Sequence, residues 1–280
     1  MKQKKYTKHF IFLSVLLIIL FYLNISLGSV SIPIKDIFNS IFGGNVAKDS
    51  WQTIIINFRV PKAITATLVG SGLSVCGLLM QTLFRNPLAG PFVLGISSGA
   101  SLGVAILILG SSVFGGFLLT HSPSQWSLPI AASLGAFLVL SAVIIAANKV
   151  RNTMSILIIG LMFGSLTSAV ISVLAYFSDA EQIKQYLFWS FGSLGNLTWY
   201  EIAVFSIIYV IGIIGTVYVI KPLNSLLLGE NYAKSLGINV KQSRNIILLI
   251  TSLLTGVITA FSGPIAFIVL AVPHIARILF

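Results

Sequence analysis

The sequence predicts an all-α, polytopic transmembrane helix bundle, and three observations predict it. Charged residues make up only 8% of the 280, against 56% hydrophobic, whereas a soluble domain carries about a quarter charged residues because its surface faces water. The apolar residues gather into runs near the about 20 residues that a helix needs to cross the hydrocarbon core. The basic residues sit between those runs rather than within them.

The first run, residues 10–27, follows a basic start from Met1 to His9. It is too long for the apolar core of a secretory signal and no clear small-residue cleavage site follows, so it reads as a retained first helix. Further helices are expected at 61–83, 92–109, 128–147, 154–177, 201–220 and 246–261, with a shorter segment at 265–272 continuing toward Phe280. Gly and Pro interrupt several of these, which membrane helices tolerate when neighbours satisfy the freed backbone groups.

Two segments lie between the spans. Residues 28–57, with Pro33, Gly43 and Gly44, form a loop with room for a short interfacial helix. In residues 221–242, Leu226, Leu227, Leu228, Tyr232, Ala233 and Leu236 fall at helix-like spacing broken at Gly229 and Gly237. Two short amphipathic helices are expected there, since Gly commonly closes a helix; a connector lying on lipid is the alternative.

Charge sets the orientation. With the N-terminus in the cytoplasm, twelve of the seventeen Lys and Arg fall inside and five outside, and of the six acids only Glu230 falls inside. That bias is what the positive-inside rule expects. A net charge of +11 otherwise invites a nucleic-acid reading, but no polar domain gathers the basic residues with aromatics as such a face requires.

Small residues recur every fourth position, at Gly95, Gly99 and Gly103 and again at Gly160, Gly164, Ser168 and Ser172. A small residue on each turn lets helix backbones approach closely, so tight packing is the first reading and a substrate path along those faces the second. Cys76, the single cysteine, lies within an apolar run and reads as a packing residue.

Catalytic signatures are missing from the sequence. It contains no GxxxxGK[ST] phosphate loop and no HExxH, so no ATP hydrolysis or zinc-peptidase chemistry is expected of this chain. The three histidines, His9, His121 and His274, are scattered, and neither a metal site nor a cofactor is expected. Helix interiors carry almost no Asp, Glu, Lys or Arg. Ion-coupled carriers bind their coupling charge on such groups, so the energy source is expected outside the membrane domain.

Four segments resemble the FecCD family, the permeases of type II ABC importers for iron-siderophores, haem and cobalamin. They are RVPKAITATLVGSGLSVCGLLMQTLFRNPLAGPFVLGISSGASLG (59–103), WSFGSLGNLTW (189–199), LGENYAKSLGINV (228–240) and SGPIAFIVLAVPHIAR (262–277). The resemblance covers essentially the whole chain. It implies a ten-helix permease paired with itself or a related permease around a central pathway, two cytoplasmic ABC ATPase subunits below, and a substrate-binding protein outside.

Carried residue by residue, the resemblance implies that Arg59 and Lys62 of RVPK face acidic residues of the binding protein. The family has Arg at the second position; Lys keeps the charge but not the bidentate fork. For Arg59 the alternative is a snorkelling interfacial arginine. The resemblance further places ATPase coupling on Leu228, Gly229, Ala233, Leu236 and Gly237, and a gate near Asn152, Thr153 and Ser155. The Asn86–Pro87 turn and Pro273–His274 are read as structural. The family continues past PHIAR with two further helices, so the expectation is one permease domain over 1–280 holding about eight of ten helices, the C-terminal ones missing.

The function expected is therefore a multi-pass subunit of a bacterial cell (inner) membrane, N-terminus cytoplasmic, that moves an iron-siderophore, haem or cobalamin-type chelate inward. It is not expected to be an enzyme, to bind nucleic acid or to need a partner beyond those subunits and lipid. An ion-coupled secondary transporter and an integral-membrane enzyme are the alternatives.

Overall fold

The computed structural model describes residues 3–110, 125–150 and 153–280. In chain order the α-helices are α1 (Gln3–Ser26), α2 (Ile34–Phe42), α3 (Asp49–Ile54), α4 (Val60–Phe84), α5 (Ile96–Ile108), α6 (Ser127–Ala147), α7 (Thr153–Tyr176), α8 (Ala180–Ser190), α9 (Trp199–Leu228), α10 (Glu230–Ser235), α11 (Val240–Ser262) and α12 (Ile268–Leu279). Among the described residues six stretches are long and apolar enough to span a membrane, namely Tyr6–Ser26, Asp49–Phe84, Ser127–Ala147, Met154–Tyr176, Trp199–Leu228 and Val240–Ser262. With the shorter apolar helices α5 and α12, they account for the eight apolar helices expected.

The expected helix at 61–83 begins earlier than its sequence pattern suggests. α3 runs through a π-helical turn, Ile55–Arg59, directly into α4. The cause is Pro61, which has no N–H to give to the helix ladder. In the π turn the Val60 N–H reaches back to the Ile55 carbonyl, so the next bond of that kind, from residue 61 to the Ile56 carbonyl, cannot form. The orphaned Ile56 carbonyl accepts instead from the indole Nε1 of Trp199, at 3.0 Å, in the first turn of α9. Trp199 thus ties the start of α9 to the kink before α4.

Helices α9 and α12 each pack on α4; α5, α6 and α7 pack together; and α11 touches α4, α5, α6 and α9 and joins the two groups. Backbones come closest at Gly77 of α4, where a Cβ would lie 1.9 Å from the Val269 carbonyl oxygen of α12, and members of the small-residue ladders come nearly as close. A Cβ on Gly103 of α5 would lie 2.0 Å from the Ala131 carbonyl oxygen of α6, and one on Gly135 of α6 would lie 2.2 Å from that of Gly99. Gly160 of α7 likewise faces the Val93 carbonyl at 2.1 Å. These contacts support the packing reading of the ladders. Cys76 is fully buried between α4 and α11, its Sγ directed at the Thr251 carbonyl at 3.6 Å.

Three local features differ from the expected pattern. The helix expected to stop at residue 220 continues to Leu228 through Pro222; buried Leu223 and Leu226 anchor its last turns to the core. The helix expected from residue 92 starts with a 3₁₀ turn, Pro91–Leu94, and restarts after Gly95 at φ 74°. α8 was not expected, although Asp179 and Gln182 have capping-box spacing and the Asp179 N–H donates to Gln182 Oε1 at 3.2 Å. α2 occupies the loop at 28–57 where a short helix had room.

Two substitutions test this packing. Gly103→Ala should lower the stability of the solubilised protein by about 2–3 kcal/mol, because the helices must separate. Gly70→Ala, where a Cβ meets nothing within 4 Å, should be neutral or slightly stabilising, as Ala favours helix over Gly. Equal melting temperatures for the two would contradict the close approach. Trp199→Phe should cost about 1 kcal/mol, the worth of one net hydrogen bond.

Candidate functional site

The residues singled out by the sequence fall at opposite ends of the bundle. At one end, Arg59 closes the π turn and is only 7% exposed. Its Nη1 donates to the carbonyls of Ile25 at 2.8 Å and Ser26 at 2.9 Å, and its Nη2 to that of Val30. The last carbonyls of a helix have no donors of their own and carry its negative dipole end, so the guanidinium caps α1 electrostatically as well as sterically. The chain can pass this close because residue 28 is Gly: a Cβ there would sit 2.7 Å from Arg59 Nη2. Lys62, one turn further into α4, is exposed. Of the RVPK pair, Lys62 is therefore the cation presented to the surface, and Arg59 the brace beneath it.

The WSFGSLGNLTW and SGPIAFIVLAVPHIAR segments meet at this same end. The Ser193 N–H donates to the Ser262 carbonyl at 2.8 Å. Gly192 (φ 73°) and Gly263 (φ 75°) both hold left-handed backbone, and a Cβ on Gly263 would lie 2.7 Å from Gly192 Cα. Their glycines thus serve a chain crossing, a use the separate motifs did not reveal. Beside it, burial pushes the Tyr186 phenol of α8 up from its ordinary 10.0, partly offset by a hydrogen bond with Ser101.

At the opposite end, α9, α10 and the start of α11 build the segment assigned to ATPase coupling. Rather than two separate amphipathic helices, residues 221–228 are the last turns of α9, and only α10 stands apart. α10 is closed by a Schellman arrangement: the Gly237 N–H donates to the Lys234 carbonyl at 3.0 Å and the Ile238 N–H to that of Ala233 at 3.0 Å. Gly237 takes φ +78° to do so, with open space where a Cβ would point.

This closure sorts the five candidates. Ala233 is fully buried in the core and seats α10. Gly229, at φ 127°, makes the elbow between α9 and α10. Leu228 and Leu236 face outward, Leu236 56% exposed, and with Tyr232 they form an apolar surface on a short rigid projection.

Arg85, which the sequence reading passed over, fixes that projection. It ends α4 at φ 49°, a left-handed conformation uncommon for a non-Gly residue. Its Nε donates to the Leu226 carbonyl at 3.1 Å, and Nη2 donates to the same oxygen. The Asn86–Pro87 turn that follows is held by the Leu88 N–H on Asn86 Oδ1 at 2.9 Å, a structural use as expected. Of the gate candidates, Asn152 lies outside the described residues, as does the side chain of Thr153 at the start of α7, and Ser155 is half-buried. His121 also lies outside them. Among the described residues no three of His, Cys, Asp and Glu group as a metal site would need.

Comparison with known proteins agrees with this architecture. The FecCD transport family matches residues 16–280. The chain is 36% identical over 268 residues to the hemin transport system permease protein HmuU of Yersinia pestis, covering 95% of this chain and 77% of that one. It is 32% identical over 281 residues to the vitamin B12 import system permease protein BtuC of Vibrio parahaemolyticus, covering 100% and 79%. A solved structure described as an inward-facing conformation of a metal-chelate type ABC transporter superposes with a TM-score of 0.82 at 28% identity, covering 98% of this chain and 82% of that one. Proteins of this kind form the membrane pathway and leave ATP hydrolysis to a separate subunit, in keeping with a sequence that has no phosphate loop. The chain belongs to the FecCD transport family and is a multi-pass membrane permease subunit of the ABC-transporter type.

Proposed function

We propose that this chain is the permease of an importer that carries a metal chelate into the cytoplasm of a bacterial cell, driven by an ABC ATPase dimer docked on α10. The observation that carries the proposal is the exposed Leu236 capping a six-residue helix whose two ends are fixed by Gly229 and Gly237. A projection of that kind transmits force in a way that a floppy connector does not. Leu228, Gly229, Ala233, Leu236 and Gly237 then divide into contact residues, the two leucines, and residues that shape and seat the helix.

The cargo class is a metal chelate, namely haem, a corrinoid or an iron-siderophore. The names of the two relatives favour the first two. The pathway is assigned to the interface with a second copy or a related permease. The exposed face of α7 carrying Ser168 and Ser172 is suited to line it, with Asn152, Thr153 and Ser155 as the gate at its inner end. At the outer end, Lys62 contacts acidic residues of a substrate-binding protein while Arg59 holds the loop that follows α1 in place. The N-terminus is assigned to the cytoplasm on the bias of basic residues, twelve against five of the seventeen.

Leu236→Asp tests the coupling assignment. Burying the exposed half of a Leu side chain is worth about 1–1.5 kcal/mol, so its loss alone weakens docking about tenfold, and the new charge weakens it further. The variant should insert normally yet fail to retain the ATPase in a pull-down and fail to support uptake; unchanged retention would overturn the assignment. Gly237→Trp is a poorer probe, because the left-handed backbone at that position strains any side chain.

Orientation is tested separately. In a Cys76→Ala background, a cysteine at Lys62 should react with an impermeant thiol reagent in intact cells and one at Lys234 should not. The reverse pattern would invert the topology.

A further inference from the structure

Beside α10 the ends of α4, α9 and α11 enclose a cavity of about 740 Å³ whose lining includes Arg85, Arg244 and Glu230. Arg244 is 5% exposed. Its Nη2 donates to the Ala147 carbonyl at 3.3 Å, and its Nε, fully buried, has no hydrogen-bond partner. A buried guanidinium N–H without an acceptor is costly, so the Arg244 head, which lines the cavity, is left under-satisfied by the protein itself. Arg85 directs two donors at the Leu226 carbonyl, and a guanidinium carries five. Glu230 supplies one carboxylate on the same cavity, so the three groups leave an excess of positive charge.

The rest of the lining shows what kind of anion fits. Leu228, Met154 and Tyr232 line the same cavity and are exposed large apolar or aromatic side chains. A small free anion gains nothing from them. An amphiphile gains from both halves, its phosphate on the guanidinia and its chains along the apolar rim. The cavity also lies where α9 ends and α11 begins, at the ends of two spans.

We propose that this cavity is a binding site for the phosphate headgroup of an anionic membrane lipid, with Arg244 as its principal ligand and Arg85 as the second. Basic pockets between helix ends recognise lipid phosphates by this chemistry. Glu230 opposes the headgroup and tunes its affinity. The site shares Leu228 and Tyr232 with the surface proposed to meet the ATPase, and the experiment reads lipid retention in the absence of the ATPase so that the two assignments fail separately.

The test uses the purified full chain in nanodiscs holding equal amounts of phosphatidylglycerol and phosphatidylcholine, with tightly bound lipid counted by native mass spectrometry. Wild type should retain phosphatidylglycerol in preference. Arg244→Gln should lower that retention about fivefold, as expected for one basic contact at the membrane surface, and leave phosphatidylcholine unchanged. Glu230→Gln should raise it, a gain that misfolding cannot mimic. If Arg244→Gln does not fold, Arg244→Lys and Glu230→Gln decide the matter.

Equal retention of the two lipids by wild type, or no response to either variant, would overturn the site. Displacement of the lipid by millimolar inorganic phosphate alone would replace it with a free-anion site. Unchanged lipid counts in Arg244→Gln together with lost ATPase retention would assign the guanidinium to a protein carboxylate instead.

Discussion

The two helix groups are held together through α11, and its sequence is suited to that position because the membrane interior offers helices no hydrophobic force toward one another. Close packing must supply the attraction instead. Thr251, Thr255, Thr259 and Ser262 repeat along α11 at three- and four-residue spacing, all buried. Their small side chains admit α4, α5, α6 and α9 around one axis. Ser252 returns its hydroxyl to the Leu248 carbonyl at 2.6 Å, so that polar atom is satisfied without a second helix. The larger neighbours fit where the partner is Gly: Leu254 lies over Gly212, and Ile258 over Gly72.

With the middle of the bundle fixed this way, the ends are set by arginine. α4 is flanked by Arg59 before its first turn and Arg85 after its last, and each places its guanidinium on carbonyls at the C-terminal end of another helix, α1 and α9 respectively. The two contacts satisfy the same need, since the final carbonyls of a helix lack donors and favour a cation. α4 thereby sets the height of both ends. Lys62 is presented above one brace and α10 projects beside the other, so the surfaces proposed to meet partners are positioned by residues that are themselves largely occupied within the fold.

The apolar helices and the small-residue packing faces were legible in the sequence, because hydropathy and glycine spacing act locally. The coupling segment was legible as a motif but not as a shape. Leu226 and Leu227 look alike in sequence, and only the course of α9 past Pro222 shows that one is buried and the other exposed. Arg59 was legible as a basic member of the RVPK motif, yet its role as a brace follows from a π turn forced by Pro61 and from the absence of a side chain at Gly28. Arg85 carried no signal beyond its place before Asn86–Pro87. The partner of Ser193, residue 262, is remote in sequence, and no local pattern announces such a crossing.

Transport in proteoliposomes tests the central claim most directly. The chain is reconstituted with its ATPase and binding protein, and accumulation of haem or a corrinoid is followed with ATP supplied on the α10 side. The account predicts movement toward the α10 side that requires ATP hydrolysis and is indifferent to proton and sodium gradients. Accumulation driven by an ion gradient without ATP, or movement away from the α10 side, would contradict it.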